Sequence, residues 1–447
     1  MKPTFRLGSG AGFAGDRIDA AVDLARDGEL DVLGLECLAE RTIALAQLRR
    51  RRDPTAGYDP RLERRLAPLL PLVQSRGFRI VGNFGAANPL GAADAIVALA
   101  RRLRLPVKVA AVTGDDVLDR LDASRPSLEG GRPLASYGEI VSANAYLGCD
   151  ALLPALATGA DIVVTGRVAD PSLFVAPLMQ RFGIAPDDWD RLARATVVGH
   201  LLECAGQLCG GYFAEPGVKD VPRMARLGFP FADVDANAEA VLGKVAGSGG
   251  AITLATTKEQ LLYEVTDPNG YLTPDVTADF TTVRLEMRGP DAVSVRGARG
   301  RARPDTLKAS VGYLAGFIGE GEIGYAGRNA IERARLAADI VRERLGGTLG
   351  ELRIDLIGST SLHGRAFDER ARPYEVRLRV AARAADADRA RLVGEEVEAL
   401  YTNGPAGGGG VRASVTEQVG IVSTLVPRGA IEPSVTVREW RPDAATA

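Results

Sequence analysis

Over its first 185 residues this chain alternates short apolar runs with longer amphipathic ones, and few folds accommodate that rhythm. "TFRLGSG" (4–10), "DVLGLECL" (31–38), "FRIVGNFG" (78–85), "VKVAAVTG" (107–114) and "ADIVVTG" (160–166) read as strands: short, nearly continuously apolar, and mostly running into glycine. Between them lie helical patterns. "DRIDAAVDLARDG" (16–28) is expected to be capped by Asp16 and closed by Gly28. "AERTIALAQLRRR" (39–51), a longer proline-interrupted helix over 59–77, "NPLGAADAIVALARRL" (88–103), "SANAYLGCDALLPALATG" (142–159) and "DPSLFVAPLMQRFG" (170–183) follow. Strands that are apolar throughout and separated by helices predict an α/β fold: a mostly parallel sheet with helices on both faces. It would be doubly wound, with a barrel-like closure as the alternative. Five clear strands favour the open sheet.

In either architecture the ligand sits at the carboxyl ends of the strands. Those ends read "GSGAGFAGDR" (8–17), "LECLAERT" (35–42), "GNFGAANP" (82–89), "VTGDD" (112–116) and "VTGRVADPS" (164–172). Glycine lets backbone approach a ligand closely. Five such ends on one side predict a polar, backbone-lined crevice within an α/β, Rossmann-like domain over residues 1–240. From about residue 240 the texture changes to strands and turns, with "DPNG" (267–270) as a hairpin-type turn. A glycine-rich stretch (307–327), an amphipathic helix (328–347), two strands, a helix (387–404) and a "PAGGGG" loop complete a mixed α+β domain, 241–447.

Lys plus Arg total 55 and Asp plus Glu 57, a net charge of −2, which gives no general attraction to nucleic acid or to an anionic membrane. The run Arg49–Arg52 reads as a solvated helix end. No apolar run approaches the roughly 18 residues of a membrane helix, and the N-terminal stretch lacks the apolar core of a signal peptide. Cys37, Cys149, Cys204 and Cys209 include no CxxC pair, a poor disulfide framework and a poor zinc site. The expectation is a soluble cytoplasmic protein without nucleic-acid or membrane partners.

Gly8, Gly10, Gly12 and Gly15 follow a strand and precede a helix, which suits phosphate or carboxylate binding at a helix N-terminus. The spacing is neither a dinucleotide fingerprint nor a Walker loop, since no G-K-[ST] follows. His200 and His363 are the only two histidines, too few for a His-rich metal site, and no metal is expected. His200, Glu203 with Cys204, and Gln207 fall on one stripe of a predicted helix; the bland alternative for His200 is a histidine bonded to a carboxylate. Asp170 before Pro171 is a standard helix start. Arg167 has no such local explanation. Its guanidinium either pairs with Asp170 or faces the crevice, where its fork suits a carboxylate or phosphate.

"GNFGAANP", "SANAYLGCDALLPALATGADIVVTGRVADPSL", "GHLLECAGQLCGGY", "GFPFADV" and "GSTSLHG", in this order, resemble the acyclic terpene utilisation AtuA-like family over roughly residues 3–440. The matching positions are Asn83, Gly85, Asn144, Gly166, Arg167, Asp170, Ser172, His200, Glu203, Cys204, Gln207, Gly210, Gly211 and His363. The resemblance implies a part in bacterial degradation of acyclic terpenes such as citronellol and geraniol through CoA thioesters. It supplies no established catalytic residues. It also implies that longer members carry a further small C-terminal ferredoxin-like domain, so a separate small ferredoxin-like partner subunit is expected here, as is a homo-oligomer.

Three functions follow as expectations. The first is an enzyme acting on a carboxylate or acyl-CoA by proton transfer next to a carbonyl, as a hydratase, isomerase or lyase. His200, Glu203 and Asp170 would move the proton, and Arg167, Asn83, Gly10, Gly12, Asn144 and Gln207 would bind substrate. No cofactor is required beyond a CoA thioester substrate. The second is a non-catalytic binding or assembly subunit of a degradation complex. The third is a nucleotide-dependent ligase or kinase using residues 8–17.

Overall fold

A computed structural model describes residues 4–364 and 373–442. They divide into two compact units. The first holds the chain up to Ser136, Ile140–Gly312 and the chain from Ile421; the second holds Tyr137–Glu139 and Tyr313–Gly420.

In the first unit the chain runs β1 (Phe5–Ala11), α1 (Ile18–Asp27), β2 (Val32–Leu35), α2 (Glu40–Arg52), α3 (Leu62–Leu66), α4 (Leu70–Arg76), β3 (Arg79–Gly82), α5 (Pro89–Leu103) and β4 (Val107–Thr113). Then come β5 (Ile140–Ala145), α6 (Cys149–Ala157), β6 (Ile162–Thr165), α7 (Ser172–Phe182), α8 (Trp189–Glu203), β7 (Pro230–Val234), β8 (Ala240–Lys244) and α9 (Leu254–Leu262). Short strands β9 (Tyr271–Leu272), β10 (Thr277–Asp279), β11 (Arg284–Gly289), β12 (Ala292–Arg296) and β13 (Arg299–Arg301) follow. β14 (Thr306–Ala326), α10 (Ala330–Leu345), β15 (Leu352–Ile357), β16 (Glu375–Ala384), α11 (Ala387–Asn403), β17 (Gly409–Pro427) and β18 (Ser434–Trp440) complete the order.

The main sheet has ten strands in the order β11-β12-β8-β7-β1-β2-β3-β6-β4-β18. Its centre, β1-β2-β3-β6-β4, is parallel, as the apolar strands predict. The expectation of a mostly parallel sheet fails outside that centre. β7, β8, β12 and β11 extend one side and β18 the other, all antiparallel. The barrel-like alternative is overturned, because the sheet is open with β11 and β18 at its ends. Residue 240, the expected domain boundary, is the first residue of β8.

Alternate residues of the parallel strands enter two different cores, since successive side chains point to opposite faces. Val81, Ala110, Val112 and Val163 pack with α6, α7 and α8. Ile80, Val109, Ala111, Ile162 and Val164 pack with α1, α3, α4 and α5. Burial on both sides is why these strands are nearly continuously apolar, with Arg6, Ser9, Arg79 and Lys108 among the exceptions. Neighbouring strands β3 and β6 lead to α5 and α7, which belong to opposite cores. Such a divergence opens a crevice at the strand ends.

Local expectations fail where a side chain has a better partner or a proline intervenes. Asp16 does not cap α1; its carboxylate accepts the N–H groups of Gly12 and Arg17, and Arg17 holds the cap position without a side-chain bond. The helix expected over 59–77 breaks into α3 and α4 around Pro68, which cannot donate to the ladder. The segment 142–145, expected to be helical, is strand β5. Arg49–Arg52 form the last turn of α2, as the charge run suggests. In the second unit β14, α10, β15, β16, α11 and β17 give the β-α-β-β-α-β succession of a ferredoxin-like unit, with strand order β15-β16-β14-β17. Its core includes Ile323, Val341, Leu378, Val380, Val393 and Val397.

A Cβ on Gly85 would lie 2.5 Å from the Thr165 carbonyl oxygen and 2.9 Å from Pro89 Cα. Both neighbours are backbone and cannot swing away. Gly85→Ala is expected to cost about 1–3 kcal/mol, read as a lowered urea midpoint with an unchanged slope.

Candidate functional site

A cavity of about 880 Å3 opens at the carboxyl ends of the parallel strands, within the first unit. Three strand ends line it directly: Gly12, Phe13, Asp16 and Arg17 after β1, Glu36 and Leu38–Glu40 after β2, and Arg167 and Ala169–Pro171 after β6. The ends of β3 and β4 stand behind these, through Asn83 and Asp115. The far wall is apolar and includes Leu227, Phe229, Tyr271 and Leu307. The size and the apolar walls around a few convergent polar groups are those of a small-molecule site.

Arg167 sits at the polar end, 1% exposed. The turn that carries it needs a glycine, because a Cβ on Gly166 would lie 2.4 Å from the Asp115 carboxylate. That carboxylate accepts the Arg167 backbone N–H at 2.8 Å and Asn144 Nδ2 at 2.8 Å. The guanidinium donates to the Leu38 carbonyl and to Asp170, lies 4.2 Å over the Tyr146 ring, and keeps Nε without an acceptor. Arg167 thus pairs with Asp170 and lines the cavity at once.

Asp170 is not the cap of α7. Pro171 holds that position with no side-chain bond, and Asp170 turns its carboxylate to Arg167 instead. Its side chain keeps a third of its surface open. Burial of the turn raises its carboxyl well above the ordinary value; Arg167 pulls it down, and Glu36, Glu203 and Glu40 push it up further. Glu36 is raised as well, mainly by burial, against the pull of Arg167. Glu40 behaves oppositely. Burial raises it, but the Tyr146 hydroxyl and the charges of Arg167 and Lys308 outweigh that and hold it at about 2.

Glu203 lines the cavity from the end of α8. One oxygen bonds His200 Nδ1 at 2.8 Å, and its other oxygen has no partner. His200 does not line the cavity. It lies behind Glu203, with its ring 5.3 Å from Tyr271 and 5.5 Å from Phe280. The predicted helical stripe ends early, because α8 stops at Glu203 and Ala205 takes a φ of +44°. Gln207 reaches the cavity from a 3-10 turn.

Asn83 and Asn144 are fully buried behind the lining and hold other groups in place: Asn83 holds Glu36 and Cys37, and Asn144 holds Asp115. Gly10 faces Leu33 and Leu35, whereas Gly12 lines the cavity and packs against the Cys204 backbone, 2.6 Å from where its Cβ would be. Asp16 already takes the loop N–H groups of Gly12 and Arg17. Burial pushes the Cys204 thiol up, away from a thiolate.

Glu36, Glu40, Tyr146, Tyr271 and Lys308 were missed. Glu36 and Glu40 lie in the "LECLAERT" strand end, and Tyr146 lies inside the matched "SANAYLGCDALL" motif. The only signal was an ionisable residue just past an apolar strand. Among the described residues no group of three or more His, Cys, Asp or Glu side chains is placed to hold a metal ion. None of the described helices is long and apolar enough to cross a membrane.

Fold and site together define an α/β protein with a cavity at the carboxyl ends of its parallel strands. The family model for the acyclic terpene utilisation family protein AtuA matches residues 5–437 of the 447, and the chain belongs to that family. No curated protein matches the chain, and no solved structure does.

Asp115, buried beneath the Arg167 turn, is raised from 3.8 to about 6, mainly by burial. The folded chain therefore takes up this proton near pH 6 and the unfolded chain near 3.8. Between those values the folded state binds more protons, so this group's contribution to stability falls as pH rises from 3.8 through about 6, by about 3 kcal/mol in all. Asp115→Asn is expected to flatten the stability curve over that window. Urea midpoints measured from pH 4 to 7 check it.

Proposed function

We propose that this protein is an enzyme that moves a proton next to a carbonyl group on a ligand with an apolar chain, in the catabolism of acyclic terpenes or related acids. The observation that carries this reading is the cluster of carboxyl groups at one end of the cavity, Glu36 and Glu203 buried and Asp170 and Glu40 partly open, facing a largely apolar wall. Carboxyls raised by burial suit general acid and base work near neutral pH. Hydration, isomerisation and C–C cleavage next to a carbonyl all use that chemistry.

The charge balance narrows the ligand. Glu36, Glu40, Asp170 and Glu203 meet Arg167 and Lys308 at this end. Arg167 spends two donors on Asp170 and Leu38, and Lys308 lies 3.2 Å from Glu40. A free carboxylate placed here would find both cations already committed, Arg167 to Asp170 and Lys308 to Glu40. A neutral carbonyl fits better, which favours a thioester, as in an acyl-CoA, over the free acid. In this reading Glu203, steadied by His200, is the base that faces the carbon. Asp170 shares the site's mobile proton, and Arg167 holds the turns in register and steadies negative charge that forms on the oxygen.

Proton NMR in D2O tests this directly, with branched and straight acyl-CoAs and the corresponding acids and alcohols as probes. Wild type is expected to wash deuterium into the carbon next to the thioester carbonyl, and Glu203→Gln to do so about 10²–10⁴-fold more slowly. Exchange on no member of the panel overturns the reading; exchange only after addition of a co-purified subunit supports the assembly role instead.

A further inference from the structure

Glu36 leaves the carboxyl end of β2 and is 7% exposed, and it lines the cavity. Its donors converge on one oxygen. The Leu38 N–H reaches Oε1 at 2.8 Å and Asn83 Nδ2 reaches the same atom at 3.0 Å. Asn83 cannot be turned round, because its Oδ1 accepts the Cys37 N–H at 2.6 Å. No donor among the described residues reaches Oε2. An oxygen that accepts two N–H groups is a poor seat for a proton, so in the neutral acid the proton sits on Oε2. The Glu36 carboxyl is thereby turned into a donor of fixed orientation.

We infer that Glu36 is the proton donor of the site, a neutral carboxylic acid that delivers the hydrogen on Oε2 to the oxygen of the ligand's carbonyl. This rests on the function proposed above. Burial favours the neutral form, the nearby Glu203 does so too, and Arg167 opposes it. In the step, the Glu203 carboxylate takes a proton from the carbon next to the carbonyl. The C–H electron pair becomes the new C=C bond, and the C=O π pair takes the Glu36 proton. An enol forms, Glu203 is neutral, and Glu36 is a carboxylate. That carboxylate meets two N–H groups on Oε1 and the charge of Arg167, so it forms at low cost. Running the step backwards resets both residues, and returning the proton to a different carbon isomerises the ligand.

Glu36→Gln separates this role from a structural one. Glutamine can keep its oxygen at the Oε1 position, where both donors stay satisfied, and it places an NH2 group at Oε2 that cannot give up a proton. The variant is expected to keep the wild-type melting temperature and thioester binding, while deuterium exchange next to the carbonyl falls about 10²–10⁴-fold. Independently of any ligand, the infrared difference spectrum of wild type minus Glu36→Gln at pH 7 is expected to contain the C=O band of a protonated carboxylic acid. Undiminished exchange in Glu36→Gln, with exchange present in wild type, overturns this inference alone. Absence of the acid band also overturns it. No exchange by wild type overturns the function and this inference with it.

Discussion

The site depends on one buried guanidinium. An unpaired charge in the interior costs several kcal/mol, and Arg167 meets that cost with contacts to four separate segments. It donates to the Leu38 carbonyl in the β2 turn and to Asp170 in its own turn. It stacks on Tyr146 after β5, and its backbone is pinned by Asp115 after β4. Each of these segments belongs to a different strand end. The cation therefore sets their register and allows several carboxyl groups to share one small volume.

In the proposed function, that sharing is what equips the polar end for proton transfer. The carboxyls divide according to their partners. Glu40 has the Tyr146 hydroxyl and two cations and is held ionised. Glu36 and Asp170 have more burial than compensation and are pushed up. Two neighbouring carboxyl groups with opposite proton occupancy are what proton transfer needs. In the proposed function, the apolar wall beyond them would hold the chain of the ligand and the polar end would meet its head group.

Much of the framework was legible before any coordinates. The five central strands are nearly continuously apolar because both faces are buried, and that pattern survives in a linear string. Arg167 stood out because nothing local required it. The pairing of His200 with Glu203 followed from helical spacing, and the contact is there. The failures share a cause. Asp16 and Asp170 looked like helix caps by their neighbours in sequence, yet each carboxylate found a better partner in space. Asn83 looked like a ligand contact because it follows a strand, and Asn144 because it falls in a matched motif, yet both lie one layer behind the cavity.

The sequence by itself determined the parallel centre of the sheet, the glycine-rich strand ends and the family, because these rest on local patterns and motif order. The antiparallel extension of the sheet, the lining of the cavity and the orientation of Glu36 were decided only in three dimensions. β7, β8, β11, β12 and β18 join the sheet by pairings that no local period encodes. Glu36 acquires its orientation from Asn83, which is 47 residues away in the chain, and its upward shift from the burial that the whole fold imposes.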